Sequence, residues 1–253
     1  MAHNLTLYTF GTTNGWKASI TLEELGLAYQ AQSIDIFKNV QKEPWFLEIN
    51  PNGKIPALKD GDQRVFESGA IMLYLVDSYD KDNTISYPHG CNEYYEMLSW
   101  LMFHVSGLGP IQGKHFISML FCDQLFTVEI GLANHFRCFA SVRSDYAIDR
   151  CTNEIKRMFS VLESRLSSHD YLVGNKYTIA DIANFSVVRV AWILELNLDE
   201  FPAIKRWVDR IEAREAVKTG VMVPASAMST DRLVEMFGKM KAKIDSMQNS
   251  DKH

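Results

Sequence analysis

The sequence has little of what several function classes require. Its 253 residues carry a formal net charge of −5, so there is no basic surplus for the phosphate backbone of a nucleic acid. No apolar run approaches the length of a membrane span, and the N-terminus has no basic stretch followed by an apolar one, as a secretory signal has. We therefore expect a cytoplasmic protein that binds neither nucleic acid nor membranes.

Cysteine is also scarce, and the spacing of the cysteines argues against a Cys-x-x-Cys redox site and against a zinc site. The four cysteines form no Cys-x-x-Cys pair and show no zinc-type spacing with histidine. They are Cys91, Cys122, Cys138 and Cys151. We therefore expect reduced thiols and no metal. The remaining composition, with 47% hydrophobic and 23% charged residues, is typical of a globular protein of one large domain or two modest ones.

Residues 1–82 predict alternating strands and helices. The first strand alternates apolar and polar side chains, as a half-buried strand does. The apolar positions after Gly15 fall on one helical face, which Gly26 ends. The predicted strands span 4–10, 29–36, 57–58 and 64–66, and the predicted helices span 15–26, 44–48 and 68–79. The order βαβαββα is that of a thioredoxin-like α/β domain.

The rest of the chain predicts helices alone. Residues 83–91 are polar, contain a proline and a glycine, and indicate a linker. We expect an all-helical domain over 92–225 and a helical extension with a polar tail over 226–253. The predicted helices span 92–105, 114–141, 145–167, 178–195, 202–214 and 228–247. A break is expected near Gly107–Pro110, and the last helix either covers a pocket or packs on the outside.

One helix start carries a complete local signal. Thr178 stands where an N-cap is expected, and Asp181 follows three residues later, so the pair forms a capping box. Tyr177 and Ile182 flank it as a hydrophobic staple. We expect a structural role for this motif and assign no chemistry to it.

Two short segments, 52–58 and 65–71, carry more functional information than the rest of the chain. Pro56 has no N–H to give, and its bond to Ile55 is a candidate for cis geometry, which would turn the main-chain groups of Ile55 outward. A peptide can then pair with Ile55 as an added strand. Ser68, at a helix start, offers a hydroxyl and free N–H groups to a carboxylate. Together they predict a socket for a small acidic peptide.

These motifs resemble the glutathione site of the glutathione transferase superfamily. The resemblance lies in Asn-Pro-x-x-x-Ile-Pro-Ala-Leu, from Asn50, and in Glu-Ser-Gly-Ala-Ile, from Glu67. The Thr-x-Asn-Gly-x-Lys pattern from Thr12 is similar to the nu-class enzymes and the yeast nitrogen-regulator-like branch, which is rich in fungal members. The resemblance implies a thioredoxin-like domain followed by a helical bundle, glutathione as co-substrate and a homodimer.

Glutathione reacts as a thiolate, and the first helix start offers donors for one. A thiol with a pKa of about 8.5 is only ~3% ionised at pH 7, and a hydrogen bond to a charged acceptor contributes roughly 1.5–3 kcal/mol. By resemblance we favour Asn14 as the catalytic residue, then Thr12, with Tyr8 third. Simple turn chemistry is the alternative for this segment. Residues 10–17 contain no cysteine, unlike the omega-like members, which form a mixed disulfide with glutathione.

The resemblance also assigns the glutathione-binding residues. Glu67 would pair with the γ-glutamyl ammonium and Ser68 with its carboxylate, although both also fit a strand end and a helix cap. The peptide would lie along Ile55 and Pro56. Contacts to the glycyl end and to the neighbouring subunit are implied for Gln41, Lys54 and Arg150. A solvated turn lysine and an exposed helix arginine are the alternatives for the last two.

The second substrate is expected between the two domains. Candidates for this pocket are Phe10, His104, His115, Phe116 and Met119. A lone histidine on a helix is more often structural, so that alternative stays open for both histidines. The pocket residues lie outside the shared motifs and do not identify the substrate.

The sequence therefore predicts a glutathione transferase that attacks a hydrophobic electrophile. A glutathione-dependent cis–trans isomerase of a fungal secondary-metabolite intermediate is one alternative, and a glutathione-dependent disulfide reductase or peroxidase is another. A regulatory binding module is the non-enzyme alternative. It is disfavoured because the first strand begins at about residue 5, without the long polar N-terminal extension of the nitrogen regulator.

Overall fold

A computed structural model of the protein describes residues 4–112, 144–194 and 196–225. Its N-terminal part is built around a four-stranded mixed sheet. The strands are β1 (Leu5–Thr9), β2 (Tyr29–Ser33), β3 (Ala57–Asp60) and β4 (Gln63–Phe66). Their order across the sheet is β2-β1-β3-β4, with β1 parallel to β2 and antiparallel to β3, and with β3 antiparallel to β4. The predicted thioredoxin-like order of elements is confirmed.

Nine α-helical segments lie in the described ranges. They are α1 (Thr13–Glu24), α2 (Pro44–Leu47), α3 (Ser68–Tyr79), α4 (Asn92–Phe103), α5 (Gly109–Gln112), α6 (Asp145–Leu166), α7 (Ile179–Val188), α8 (Pro202–Glu212) and α9 (Glu215–Gly220). Short 3-10 turns span Ile36–Lys38, Val40–Lys42, Ala191–Leu194 and Leu198–Glu200. After α3 every described element is helical, as predicted.

Some element ends differ from the sequence prediction. Strand β2 stops at Ser33 because the Asp35 carboxylate accepts from the N–H groups of Phe37 and Lys38 and starts a 3-10 turn. The helix predicted over 178–195 ends at Val188 and continues as a 3-10 turn. Helix α9 and the other 3-10 turns were not predicted, because segments this short have no periodicity to detect.

The break expected near Gly107–Pro110 does not occur. Residues His104–Leu108 form a π-helical turn instead, and the Gly109 N–H donates to the His104 carbonyl. Pro110 has no N–H to donate to the carbonyl four residues before it. The wider turn therefore carries the chain past the proline into α5.

Helix α1 is buried on two sides. One face packs on the sheet with α3, in a core that includes Leu7, Leu22 and Leu58. Trp16 and Ile20, from the other face, belong to the core of the helical domain. The end of the helix follows its sequence signal: α1 stops at Glu24 and Gly26 adopts a φ of 61°.

The C-terminal helices also bond directly to α1. The Ser19 hydroxyl donates to the Gly220 carbonyl at 2.7 Å. Arg214 makes a two-pronged ion pair with Glu24, at 2.6 and 2.7 Å. The helical domain thus fixes the helix whose N-terminus carries the Thr12–Lys17 segment.

The predicted capping box is present at the start of α7. The buried Asp181 carboxylate accepts from Thr178 N–H and from its hydroxyl, and also from Leu172 N–H and the Trp207 indole at 2.9 Å. Burial raises the pKa of Asp181 to about 6, against the lowering effect of these donors. The structure gives this carboxylate a joining role between α7, α8 and the preceding turn.

Several predicted features fall outside the described residues. They are His115, Phe116, Met119, Cys122, Cys138, the predicted helix over 114–141 and the extension over 226–253. Within the described ranges, Cys91 and Cys151 are free, no three His, Cys, Asp or Glu side chains cluster as a metal site would require, and none of the helices has the length and apolar character of a membrane span.

Candidate functional site

Strand register brings the three motif segments to one edge of the sheet. Tyr8 pairs with Ala57, and Ala57 pairs with Phe66, so these residues form one row across three strands. The row lies at one end of the three strands. The chain leaves β1 after Thr9, enters β3 at Ala57 and leaves β4 after Phe66, so these three segments meet at this end of the sheet. Segments 10–17, 55–56 and 67–68 therefore lie together at one edge of the sheet.

The first segment is a tightly held helix start. Thr12 is the N-cap of α1, and its hydroxyl accepts from Gly15 N–H at 3.0 Å, which leaves the hydroxyl proton to be donated elsewhere. A Cβ at Gly15 would lie 2.3 Å from the Phe10 carbonyl oxygen and 2.5 Å from Thr9 Oγ1. Only glycine permits this approach between the turn and the end of β1, and the turn is fixed there.

Asn14 is half-buried in the first turn of α1 and is held through its oxygen. Lys17 Nζ donates to Asn14 Oδ1 at 2.8 Å. Among the described residues the Asn14 NH2 group has no hydrogen-bond partner. Sequence reasoning quoted Lys17 within the Thr-x-Asn-Gly-x-Lys pattern but gave it no role. The sequence did contain a signal for this contact, because Asn14 and Lys17 are three residues apart and therefore lie on the same face of the helix.

Lys17 is unusually buried for a lysine, with 2% of its surface exposed. Burial lowers the pKa of Lys17 to about 7, and the negative charge of Glu67 opposes that shift. His104, on the π-helical turn, is also buried, and burial together with Lys17 lowers its pKa well below 6.5. The charge of Lys17 is therefore influenced by the Glu67 carboxylate and in turn favours a neutral His104 imidazole.

The second segment presents unpaired main-chain groups. The Ile55–Pro56 peptide bond is cis, in line with the sequence expectation. Within the described part of the chain, neither the N–H nor the carbonyl of Ile55 has a hydrogen-bond partner. The preceding turn is braced by Asn50, whose amide donates to the Lys54 carbonyl at 2.7 Å and accepts from Asn52 N–H at 2.9 Å.

The third segment differs in one detail from the sequence expectation. Glu67, not Ser68, is the N-cap of α3, and it adopts a φ of 69°, which is rare for a residue with a side chain. Ser68 is the first helical residue. The first intrahelical bond runs from Ile71 N–H to the Glu67 carbonyl, so the earlier N–H groups of α3 are left for an anion. The Glu67 carboxylate accepts from the Asn52 amide at 3.2 Å.

The residues expected to contact the glycyl end of glutathione lie beside the Asn50–Ile55 turn. Gln41 is buried, and its amide donates weakly to the Ile36 carbonyl at 3.3 Å. Its Oε1 is buried without a hydrogen-bond partner among the described residues. Lys54 is half-buried in the Asn50–Ile55 turn. The Gln41 amide nitrogen thus already has a weak hydrogen-bond partner within its own loop, whereas its oxygen has none there.

The aromatic candidates lie in a small apolar cluster next to the site. Phe10 meets Phe37 edge to face at 5.8 Å, and Tyr8 packs on Phe46 at 6.2 Å. Trp192, from the helical domain, packs against the same cluster. The site therefore borders the junction between the domains.

Three further candidates differ in burial. His104 is 1% exposed, and both of its ring nitrogens lack a partner among the described residues, so its side chain does not line an open pocket. Arg150 is exposed on α6. Phe10 remains at the edge of the site, half-buried.

The arrangement suits a small molecule with several charged groups. Two twelve-residue helices, α1 and α3, begin at this edge, and helix starts carry a partial positive charge. The Asn14 amide and the Thr12 hydroxyl add donors around the start of α1. Glu67 supplies the one opposite charge at the start of α3 within the described site. The site can stabilise an anion at each helix start and a cation at Glu67.

Comparison with known proteins agrees with this geometry. A family model described as "Glutathione S-transferase, N-terminal domain" matches residues 3–77, and one described as "Glutathione S-transferase, C-terminal domain" matches residues 130–215. The chain is 37% identical to Glutathione S-transferase 2 of Schizosaccharomyces pombe, over 86% of this chain and 94% of that protein. It is 36% identical to Disulfide-bond oxidoreductase YfcG of Escherichia coli, over 83% and 91% of the two chains.

A solved structure extends the match to three dimensions. The crystal structure of the glutathione transferase URE2P6 from Phanerochaete chrysosporium, in complex with oxidized glutathione, is 37% identical with a TM-score of 0.75. The match covers 94% of this chain and 98% of that chain. The similarity therefore spans both the sheet and the helices.

Proposed function

Because the chain belongs to the glutathione S-transferase family, in its fungal Ure2-like branch, we propose that it binds glutathione at the sheet edge and ionises its thiol against Asn14 and Thr12. The observation that carries the proposal is the row Tyr8–Ala57–Phe66, which gathers unpaired donors and acceptors from three motif segments. The fold predicted from the sequence is that of this family.

Each part of glutathione has a partner of matching chemistry in the proposed pose. The main chain of the cysteinyl residue pairs with Ile55, as an added strand does. The γ-glutamyl carboxylate lies at the start of α3, at Ser68, and its ammonium lies against Glu67. The glycyl carboxylate lies toward Lys54 and Gln41. Pro56 shapes the wall of this groove.

The sulfur then lies at the start of α1. Asn14 and Thr12 each offer a donor, and a charge-assisted hydrogen bond contributes roughly 1.5–3 kcal/mol, or about one to two pKa units of the thiol. Together with the helix start, they make the thiolate a major species at neutral pH. The thiolate attacks an electrophilic carbon of a hydrophobic substrate, a C–S bond forms, and the electron pair leaves with the departing group or is protonated by water.

Glutathione-dependent disulfide reduction is the second candidate. It is favoured by the similarity to a protein named a disulfide-bond oxidoreductase and to a transferase solved with oxidized glutathione. The thiolate attacks one sulfur of a disulfide, forms a mixed disulfide and expels the other sulfur as a thiolate. A second glutathione thiolate then displaces the remaining thiol and yields oxidised glutathione. Residues 10–17 contain no cysteine, so both electrons come from glutathione.

The finer assignments form part of the proposal. We place the glutathione-binding domain at 1–82, the linker at 83–91, the helical domain at 92–225 and the extension at 226–253. The protein is proposed to work in the cytoplasm as a homodimer, in which Arg150 reaches the partner's glutathione. A hydrophobic second substrate would lie near Phe10. A role in fungal secondary metabolism, as an isomerase, stays a prediction from the sequence.

The experiment compares wild type with Asn14→Ala. Calorimetry measures the binding of reduced glutathione, and turnover is measured on an activated aryl halide, a hydroperoxide and a small disulfide. Wild type is expected to bind glutathione and turn over at least one of them, and Asn14→Ala to lose roughly 10- to 100-fold in kcat/KM, the equivalent of one charge-assisted hydrogen bond. Asn175→Ala, at an exposed asparagine, is the matched control. Wild type without glutathione binding would refute the proposal.

A further inference from the structure

Lys17 has no role in the proposed function, yet its surroundings are unusual for a lysine. Lysine side chains normally keep their ammonium group in water, whereas Lys17 is 2% exposed. Its Nζ donates to Asn14 Oδ1 at 2.8 Å. The buried lysine thus contacts the oxygen of the carboxamide that is proposed to face the thiol.

The donor and acceptor roles of the two groups fix the orientation of the Asn14 carboxamide. An ammonium group only donates, and in a carboxamide only the oxygen accepts, so Asn14 Oδ1 must face Lys17. Without this partner the amide can rotate by about 180° and turn its oxygen to the sulfur. An oxygen there repels a thiolate, whereas an NH2 group stabilises it.

The opposite side of the amide is open. Asn14 is half-buried, and within the described residues its NH2 group has no partner. We propose that Lys17 is a positioning residue, which holds Asn14 Oδ1 so that the N–H bonds of the amide are left for the glutathione sulfur. This inference rests on the proposed function and deepens it.

The charges around Lys17 fit this role. Glu67, at the start of α3, and His104, on the π-helical turn, both interact electrostatically with Lys17, and His104 is neutral because burial and Lys17 lower its pKa. Burial lowers the pKa of Lys17 to about 7. Because the protonated form of Lys17 fixes the Asn14 amide that holds the thiolate, thiolate binding at this amide in turn favours the protonated form of Lys17.

The test is an ultraviolet titration of the bound glutathione thiolate. Wild type, Asn14→Ala, Lys17→Met and the double variant are each saturated with glutathione and titrated from pH 5 to about 9, the reference thiol value being about 8.5. We expect Lys17→Met to raise the pKa of the bound thiol nearly as far as Asn14→Ala does, with at least a tenfold loss of kcat/KM at pH 6. The double variant should match Asn14→Ala, because Lys17 acts through Asn14.

Asn14→Asp provides a second, independent variant. Its carboxylate keeps the contact with Lys17 but has no donor for the sulfur, so the thiol pKa should rise although the lysine remains paired. Lys218→Met, at an exposed lysine, is the control for loss of a positive charge. Denaturant melts confirm that each variant is folded.

The outcomes separate this inference from the proposed function. Wild type that fails to bind glutathione overturns the proposed function itself. If wild type and Asn14→Ala behave as proposed but Lys17→Met keeps the wild-type thiol pKa, the positioning role is overturned. It is also overturned if the effects of Lys17→Met and Asn14→Ala add in the double variant, since Lys17 then acts on the sulfur directly.

Discussion

Replacing Lys17 with methionine should stabilise the fold while it impairs the chemistry. Methionine keeps the long unbranched stem in the buried position and removes the charge. A pKa lowered from 10.5 to about 7 means that the folded state holds the ammonium at a penalty of about 5 kcal/mol relative to the unfolded chain. Loss of the hydrogen bond to Asn14 offsets about 1 kcal/mol of the gain. We expect Lys17→Met to be more stable by about 3–4 kcal/mol at pH 7.

The stability difference between Lys17→Met and wild type should depend on pH. Between pH 7 and 10.5 the unfolded chain keeps a proton on Lys17 that the folded chain has lost, so wild-type stability rises with pH in this window. The variant lacks this contribution, and its advantage should shrink by about 2 kcal/mol between pH 7 and pH 9. Below pH 7 both states are protonated and the advantage is constant.

The assay is urea unfolding at pH 6, 7, 8 and 9, without glutathione, followed by tryptophan fluorescence and circular dichroism. Lys218→Met serves as the control, because this lysine is 54% exposed and should shift the midpoint little at any pH. A Lys17→Met variant no more stable than wild type at pH 7, or a stability gap independent of pH, would refute the reasoning.

Three further predictions follow from single contacts. Gly15→Ala should lower stability by about 2–4 kcal/mol and reduce activity, because its Cβ would lie 2.3 Å from the Phe10 carbonyl; an unchanged unfolding midpoint would contradict this. Asp181→Ala should destabilise the helical domain by about 3–5 kcal/mol, because it leaves the Trp207 indole and two backbone N–H groups unpaired. Calorimetric melting of this variant without a lowered Tm would count against the prediction. Glu67→Gln should weaken glutathione binding roughly tenfold in calorimetry, by loss of a charge partner for the γ-glutamyl ammonium. Equal affinity would argue against the proposed orientation.

Local patterns in the sequence were sufficient to predict most of the fold. The start and end of α3 at Ser68 and Tyr79 follow from a continuous apolar helix between a strand end and a polar linker. The capping box at Thr178 and Asp181 involves residues three apart, so it is visible in sequence. The motif segments singled out in the sequence lie together at one edge of the sheet, and their role in binding glutathione stays a prediction.

Features that depend on distant contacts were not predicted. The burial of Lys17 was not predicted, because a lysine in a helix is by default expected at the surface, and its electrostatic partners Glu67 and His104 are distant in sequence. The π-helical turn at His104 replaced an expected break, because Gly–Pro signals do not distinguish a widened helix from a broken one. Glu67 as N-cap with a positive φ has no sequence signal of its own.

The double attachment of α1 limits how freely the two domains can be exchanged. Its N-terminal turn carries the proposed thiol-activating groups, while its middle and end are bonded to Gly220 and Arg214 of the C-terminal helices. A chimaera that joins this α/β domain to a foreign helical bundle, in order to alter substrate range, would leave Glu24 and Ser19 without their counterparts. Such recombination requires a graft that includes matching residues for α1, and an isolated N-terminal fragment would have its reactive turn supported from one side only.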